Sequence, residues 1–356
     1  MCAGPYSTLY SLDKLRGHKD EQIIQYWMVH VVYDFMLYGA TQTMKKKPPP
    51  EAVMSSGLTR FVKNVIDCDE PLALLSIAKW IEEEMSMSLT RFLDFQLSMD
   101  NNDSPFVFEK AATVYLGHAL NGSETSTLEQ VSTFYTAVPE WAKLPAQLVA
   151  VTLDLTSGTH TFSTVKFGSS IHDLPSSQLG MKTNSTVQTI DWLRDPRGVP
   201  FLFPDNSYGP DSVVLVRLQD NTFVWIVTQM KMLATRQLLD RGTSNDAISS
   251  VTPFNFFQRG NITKANQESL KANALSRMAR IVEGHGPLRI LRVVVAYDAV
   301  MPNNIQAYPN GLETDGQYPL ARLRQPDYSD LTSPAIDKTL RNIIDPRGVS
   351  NALGKL

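Results

Sequence analysis

Cysteine is nearly absent from this chain: Cys2 and Cys68 are the two in 356 residues, too few for a disulfide framework or a cysteine zinc site. The six histidines are scattered, which argues against a structural zinc or a His-based metal centre. No glycine-rich phosphate loop of the Walker type occurs. The start, Met1-Cys2-Ala3-Gly4-Pro5, lacks the basic residues and apolar run of a signal peptide. Long apolar runs are also missing. Leu288 to Val300 is interrupted by Arg289, Arg292 and Asp298 and falls short of the ~20 residues a membrane span needs. These absences lead to the expectation of an intracellular protein. Nor is there an excess of positive charge: the net charge of -3 is not that of a protein that coats nucleic acid, which requires clustered Lys and Arg.

What is present is ordinary for a globular chain. Hydrophobic residues make up 43% and charged residues 19%, enough for one large domain or two with a sizeable core. Residues 1–100 are expected to form a helical N-terminal region. Ile23, Ile24, Trp27, Val31, Phe35 and Tyr38 recur at helical intervals, as do Leu74, Ile77, Ile81 and Met85. Between these blocks Lys45-Lys46-Lys47-Pro48-Pro49-Pro50 breaks any helix. The lysine run offers a weak nuclear-import signal, although a solvated loop is the commoner reading. Residues 301–356, rich in Pro, Asp and Asn, read as a loosely structured tail with a helix over Ile336 to Ile344.

Residues 101–300 alternate helical and extended patterns, which predicts an α/β (α+β) domain with a mixed sheet flanked by helices. Ser104 and Pro105 open a helix running to about Asn121, with Ser104 as N-cap and Glu109 in its second turn. Glu140 to Leu155 reads as helical or mixed, Thr161 to Phe167 as a strand and Thr186 to Arg194 as a short helix. Leu233 to Ser250 is polar, with one short helix near its end. Asn261 to Glu283 has one apolar stripe of Leu270, Ala274, Leu275, Met278, Ile281 and Val282. The Leu, Ile and Val of Leu288 to Tyr297 then predict a strand buried on both faces.

Chemistry is arguable from spacing in one place, Gly209 to Met232. Ser212 to Leu218 and Thr222 to Thr228 read as strands, with Gln219-Asp220-Asn221 as turn residues between them. Folding back, they bring Asp211 beside Gln229 to Lys231. Gln229 and Lys231 share a face in any register, because strand side chains alternate. A strict two-residue turn would put Asp211 on the other face, whereas one extra loop residue or a bulge puts all three together.

Gly209-Pro210-Asp211 followed by Gln229-Met230-Lys231 resembles the PD-(D/E)XK signature of restriction-endonuclease-like nucleases, with Gln in place of the usual acid. The run from Asp191-Trp192-Leu193 through Gly198-Val199-Pro200-Phe201-Leu202-Phe203-Pro204-Asp205-Asn206 to Lys231 is similar to a subgroup in fungal genomes described as Crinkler-like or mobile-element-associated. The likeness covers about residues 105 to 300. It implies a nuclease-like domain over 101–300, with Asp211 as ligand of Mg²⁺ (or Mn²⁺), Gln229 as second ligand through its oxygen, and Lys231 as the catalytic amine. Glu109 corresponds to the carboxylate such nucleases commonly carry on a preceding helix, and is counted with the metal and catalytic residues. Its plain alternative is a solvated helix residue favoured by the helix dipole. Asp205, in a second Pro-Asp, is a rival carboxylate or a turn residue.

A partner for such a site would be nucleic acid, DNA first. The stretch from Arg259 to Arg292 also contains Lys264, Lys271, Arg277, Arg280 and Arg289, and is the best candidate for a phosphate-facing surface. Lys264, Lys271, Arg277 and Arg280 are its nominated contacts. A solvated helix face is the alternative. The leading expectation is a Mg²⁺-dependent hydrolase of phosphodiester bonds in DNA. Its rivals are a nuclease-fold module that binds nucleic acid or protein without cutting, and an interaction protein that works through residues 1–100.

Overall fold

The computed structural model describes residues 104–121, 126–135, 137–165, 179–238, 240–258, 262–300 and 318–323, together with Tyr33, Leu37, 60–62 and 65–67. The expected helices at 20–38, 71–97 and 336–344, the lysine-proline linker and Arg259 lie outside them, apart from Tyr33 and Leu37, both helical and buried. By compactness the chain divides into two units. One comprises 1–98, 172–178 and 326–356; the other comprises 99–171 and 179–325. In the first, β1 (Arg60–Val62) pairs antiparallel with β2 (Val65–Asp67) inside the region expected to be helical.

The second unit has a mixed α/β fold. It opens with α1 (Ser104–Asn121), whose first residue is Ser104, one position before the expected start. Then come the single turn α2 (Leu128–Val131), capped by Thr127 and Gln130 in a reciprocal capping box, and β3 (Ser132–Phe134). Glu140–Lys143 forms a 3-10 turn that gives way to β4 (Ala146–Leu153), where the sequence had left helix and strand open. Pro145 ends the helical tendency, and the apolar run of β4 is stabilised on one side by a strand far away in sequence, at Val216 to Leu218. β5 (His160–Thr164) pairs back on β4, and β6 (Gly180–Lys182), α3 (Thr186–Trp192) and β7 (Phe201–Phe203) follow. β8 (Ser212–Leu218) and β9 (Phe223–Leu238) form the central hairpin. α4 (Arg241–Val251), α5 (Lys264–Ile281), β10 (Ile290–Val300) and β11 (Leu320–Leu323) complete the unit.

Among the described residues nine strands form one sheet. Its main path runs β3-β11-β10-β9-β8-β4-β5, with β6 and β7 joined to it through β8. β8 is antiparallel to β9 and to β4, while β10 lies parallel to β9 after the α5 crossover. Two strands exceed their sequence expectations. β9 continues through Leu238, across residues expected to be polar and irregular, because β10 pairs alongside it as far as Leu238. β11 comes from the segment assigned to the C-terminal tail, and it bridges β10 and β3. Neither partner is local, so local composition understated both.

The core between the sheet and α5 is aromatic and tight. Trp225 is fully buried and its Nε1 donates to Met278 O at 3.1 Å, while the Trp192 ring meets it edge-on at 6.4 Å. Truncating such a residue to alanine costs about 3–5 kcal/mol, so Trp225 fixes α5 against the hairpin. Buried Ala274, Met278 and Ile281 form the inner face of α5, as the stripe predicts. No helix among the described residues is long and apolar enough to cross a membrane.

Candidate active site

The hairpin register decides which side chains meet. Ser212 pairs with Thr228 and Arg217 with Phe223, and Leu218 N donates to Thr222 O at 2.8 Å. That leaves a three-residue loop, Gln219-Asp220-Asn221. Asn221 takes the left-handed conformation with φ 60°, and Asp220 Oδ1 accepts from Thr222 N and Oγ1 at 3.0 and 2.6 Å. With this one extra loop residue the ladder ends at Ser212 opposite Thr228, and just beyond it the Asp211 side chain meets that of Gln229, which shares a strand face with Lys231.

The approach to Asp211 is held by a short, densely packed loop. Asp205 Oδ1 accepts from Ser207 N at 3.0 Å and Ser207 Oγ at 2.5 Å, making it a turn former that closes on its own loop. Tyr208 is fully buried against Phe256 and Phe257, and its backbone oxygen accepts from Phe257 N at 3.1 Å. Gly209 has φ 119°, and a Cβ there would meet Ser250 O at 2.7 Å. Only glycine fits a left-handed backbone pressed against another carbonyl. Asp211 N then donates to Thr228 O at 2.7 Å, and the Ser212 and Thr228 hydroxyls pair at 2.6 Å beneath it.

Asp211 and Gln229 are directly bonded. Gln229 Nε2 donates to Asp211 Oδ2, and Met230 N donates to the same oxygen at 2.6 Å. Nε2 also faces Met230 O at 3.5 Å. Two acceptors on that side require the NH₂ there, so the amide orientation follows from its surroundings. Gln229 Oε1 is therefore turned elsewhere. It is buried and has no hydrogen-bond partner among the described residues. A buried acceptor without a donor costs about 1–3 kcal/mol, which a hard cation or a donor would offset.

Glu109 enters from α1, which lies against β4 and β9. Burial raises its carboxyl to about 7 from an ordinary 4.5. The Asp211 carboxylate pushes in the same direction, and Lys182, Lys110 and Lys231 pull against both. Glu109, Asp211 and Lys231 thus belong to one electrostatic neighbourhood, with Lys231 partly buried at its edge. Two lysines that the sequence did not single out join them: Lys110, next to Glu109 on α1 and buried, and Lys182, at the end of β6. Nothing local marks Lys182, since it reaches the site only because β6 is carried by β7 onto β8.

Oxygen chemistry suits Mg²⁺ here. Two carboxylates and one amide oxygen are within the usual demand of a cation that binds one or two carboxylates and keeps several waters. Among the described residues no group of three His, Cys, Asp or Glu side chains is arranged to hold a metal; the oxygen donors present are the carboxylates of Asp211 and Glu109 and the amide of Gln229.

The proposed basic surface does not come together as one. Lys271 Nζ pairs with Glu268 at 2.5 Å and reaches Phe254 O at 3.4 Å. Lys264 and Lys271 lie one to two helical turns apart on one flank of α5, whereas Arg280 is roughly 180° around the helix from Lys271. Arg277 Nε donates to Asn273 Oδ1 at 2.8 Å. Arg289 Nη1 donates to Thr222 Oγ1 at 2.6 Å across the turn. Arg292 is fully buried, donating to Tyr318 O at 2.7 Å and Thr252 Oγ1 at 3.0 Å, so it pins β11 and α4 to β10 and faces no phosphate. Comparison with protein-family models, with curated proteins and with solved structures found no match to this chain.

Proposed function

We propose that this chain is a restriction-endonuclease-like, Mg²⁺-dependent hydrolase of phosphodiester bonds in DNA, working through Asp211, Gln229, Lys231 and Glu109. The observation that carries the reading is the meeting of Asp211 with Gln229, whose buried Oε1 lacks a hydrogen-bond partner among the described residues, in the electrostatic reach of Glu109 and Lys231. Its topological support is the succession α1, β4, β8, β9, α5, β10, in which an antiparallel trio is followed by a helical crossover to a parallel strand.

Bound between these side chains, Mg²⁺ would polarise the phosphoryl group and lower the pKa of a coordinated water. Asp211 and Glu109 supply the negative charge that holds a cation, and Gln229 contributes its carbonyl oxygen. The Lys231 ammonium offsets charge that develops on the phosphoryl oxygens as a water oxygen adds to phosphorus and the ester oxygen leaves. The neutral Gln229 removes one charge from the ligand set, so affinity for the metal is expected to be low.

That same bond favours a second reading, a nuclease-fold module that binds nucleic acid or a protein without cutting, because Gln229 already engages an oxygen of Asp211. Incubating the protein with plasmid DNA and Mg²⁺ or Mn²⁺, beside Asp211→Ala and Lys231→Ala, separates the two. Metal-dependent cleavage lost in both variants supports hydrolysis. Salt-sensitive DNA binding without cleavage, unchanged in both variants, supports the second reading.

A further inference from the structure

A cavity of about 370 Å³ opens between the outward side of α5, the β4–β5 hairpin and the end of α3. Its polar lining is Arg194, Arg277, Arg280, Asn273, Ser276 and His160, with Leu153 as an apolar wall. None of the four candidate active-site residues contributes to it.

The charges of this cleft are poorly compensated. Arg194 pairs at 3.7 Å with Asp191, and both side chains are about half exposed. Arg277 makes its hydrogen bond to the neutral Asn273, and neither Arg277 nor Arg280 pairs with a carboxylate among the described residues. The nearest acid of the hairpin loop, Asp154, is engaged by its own turn, accepting from Thr156 N and Ser157 Oγ at 2.8 Å each. Like charges repel, so three guanidinium groups around one cavity leave a positive field that an anion would relieve.

The lining also supplies donors and a flat contact. Arg277 and Arg280 are three apart on α5 and project to the same side, with Asn273 and Ser276 one turn before them. His160 Nε2 lies 3.0 Å from Arg194 O, which places the ring proton on that nitrogen and ties β5 to the end of α3. Guanidinium planes match phosphate oxygens two at a time and stack on aromatic rings. The volume falls at the small end of the roughly 300–1,000 Å³ typical of ligand pockets.

We propose that this cleft is a binding site for a phosphate-bearing ligand of nucleotide size. The phosphate sits between Arg277, Arg280 and Arg194, and the base or sugar lies against Leu153. The site is separate from the Asp211 centre and does not depend on hydrolysis there. Two sources share this chemistry, a free mononucleotide and one unit of a nucleic-acid strand.

The test is titration of the full chain in EDTA with inorganic phosphate, adenosine, AMP and a short single-stranded oligonucleotide, followed by calorimetry. The same series is run on Arg277→Gln/Arg280→Gln. The expected result is saturable binding of AMP or of the oligonucleotide, stronger than that of adenosine and weakened at least about tenfold in the variant. Binding of AMP identifies a free nucleotide as sufficient; binding of the oligonucleotide alone identifies the strand. Should the double variant melt at a lower temperature, Arg280→Gln, a change at an exposed position, carries the comparison. Absence of binding by any phosphate compound, or binding that persists unchanged in a folded variant, would overturn the proposal.

Discussion

Gln229 and Asp211 face each other across the central hairpin, and the amide of one is hydrogen-bonded to the carboxylate of the other. Asp211 Oδ2 thereby receives two donors, Gln229 Nε2 and Met230 N. An ionised acid at position 229 could not make this bond, because two carboxylates would then be apposed. The amide stabilises the metal-free site, at the expense of charge for a cation.

Gln229→Glu should reverse that balance. Without metal, the variant loses a hydrogen bond and brings a second carboxylate to Asp211, lowering stability by about 2–3 kcal/mol. With Mg²⁺ the added charge should tighten binding at least about tenfold and recover the melting temperature. Thermal melts with and without saturating Mg²⁺ give both quantities. A variant as stable as the parent without metal would show that the Asp211–Gln229 bond contributes nothing.

Glu109 makes the stability of the metal-free protein depend on pH. Its carboxyl is raised to about 7 by burial, with the Asp211 carboxylate adding to the effect. Below about pH 4.5 it is protonated whether the chain is folded or not, and its contribution is fully present. As pH rises through 4.5 to 7 the unfolded chain ionises first, and stability is progressively lost. At about 1.4 kcal/mol for each pKa unit the complete loss is ~3 kcal/mol. Denaturant unfolding across this range, on the parent and on Glu109→Gln, should show the extra slope in the parent alone.

Metal binding should show the same proton from the other side. A Glu109 that binds Mg²⁺ must first ionise, so binding near pH 6 is expected to be several-fold weaker than at pH 8 and to release a proton. Calorimetry in two buffers of different ionisation enthalpy measures that proton. Its absence, with affinity independent of pH, would exclude Glu109 from the ligands.

Gly209→Ala tests the loop that delivers Asp211. The added methyl would meet Ser250 O at 2.7 Å on a backbone with φ 119°. A loss of about 1–3 kcal/mol is expected from the strain. Because the loop leads into Asp211, Mg²⁺ affinity should fall with it. Urea unfolding and Mg²⁺ titration check the two effects, and an unaltered midpoint would show that the Ser250 carbonyl yields freely.

Much of what meets at the hairpin was legible locally. The turn residues between two β-rich runs marked the hairpin, and Gly209-Pro210-Asp211 and Gln229-Met230-Lys231 marked its ends. Ser104-Pro105 announced the helix of Glu109 within one residue of its start. Lys182 was not legible, because its approach depends on β6 pairing with β7 and β7 with β8. Arg292 misled for the same reason: its charge suggests a surface, while the carbonyl of Tyr318 and the hydroxyl of Thr252 make burial tolerable.

By itself the sequence determined the alternation that keeps Gln229 and Lys231 on one face and the apolar stripe of α5. It also determined how few Cys and His the chain has, since composition and period are properties of the chain alone. Tertiary structure decided what lies opposite what. A third loop residue, Asn221 at φ 60°, set the register that ends at Ser212 opposite Thr228 and brought the Asp211 side chain to that of Gln229. Burial beside Asp211 raised the Glu109 carboxyl, and packing of α5 against the sheet turned Arg277 and Arg280 into a cleft with Arg194. Register, desolvation and the meeting of distant charges depend on distances between residues far apart in sequence, which only the folded chain sets.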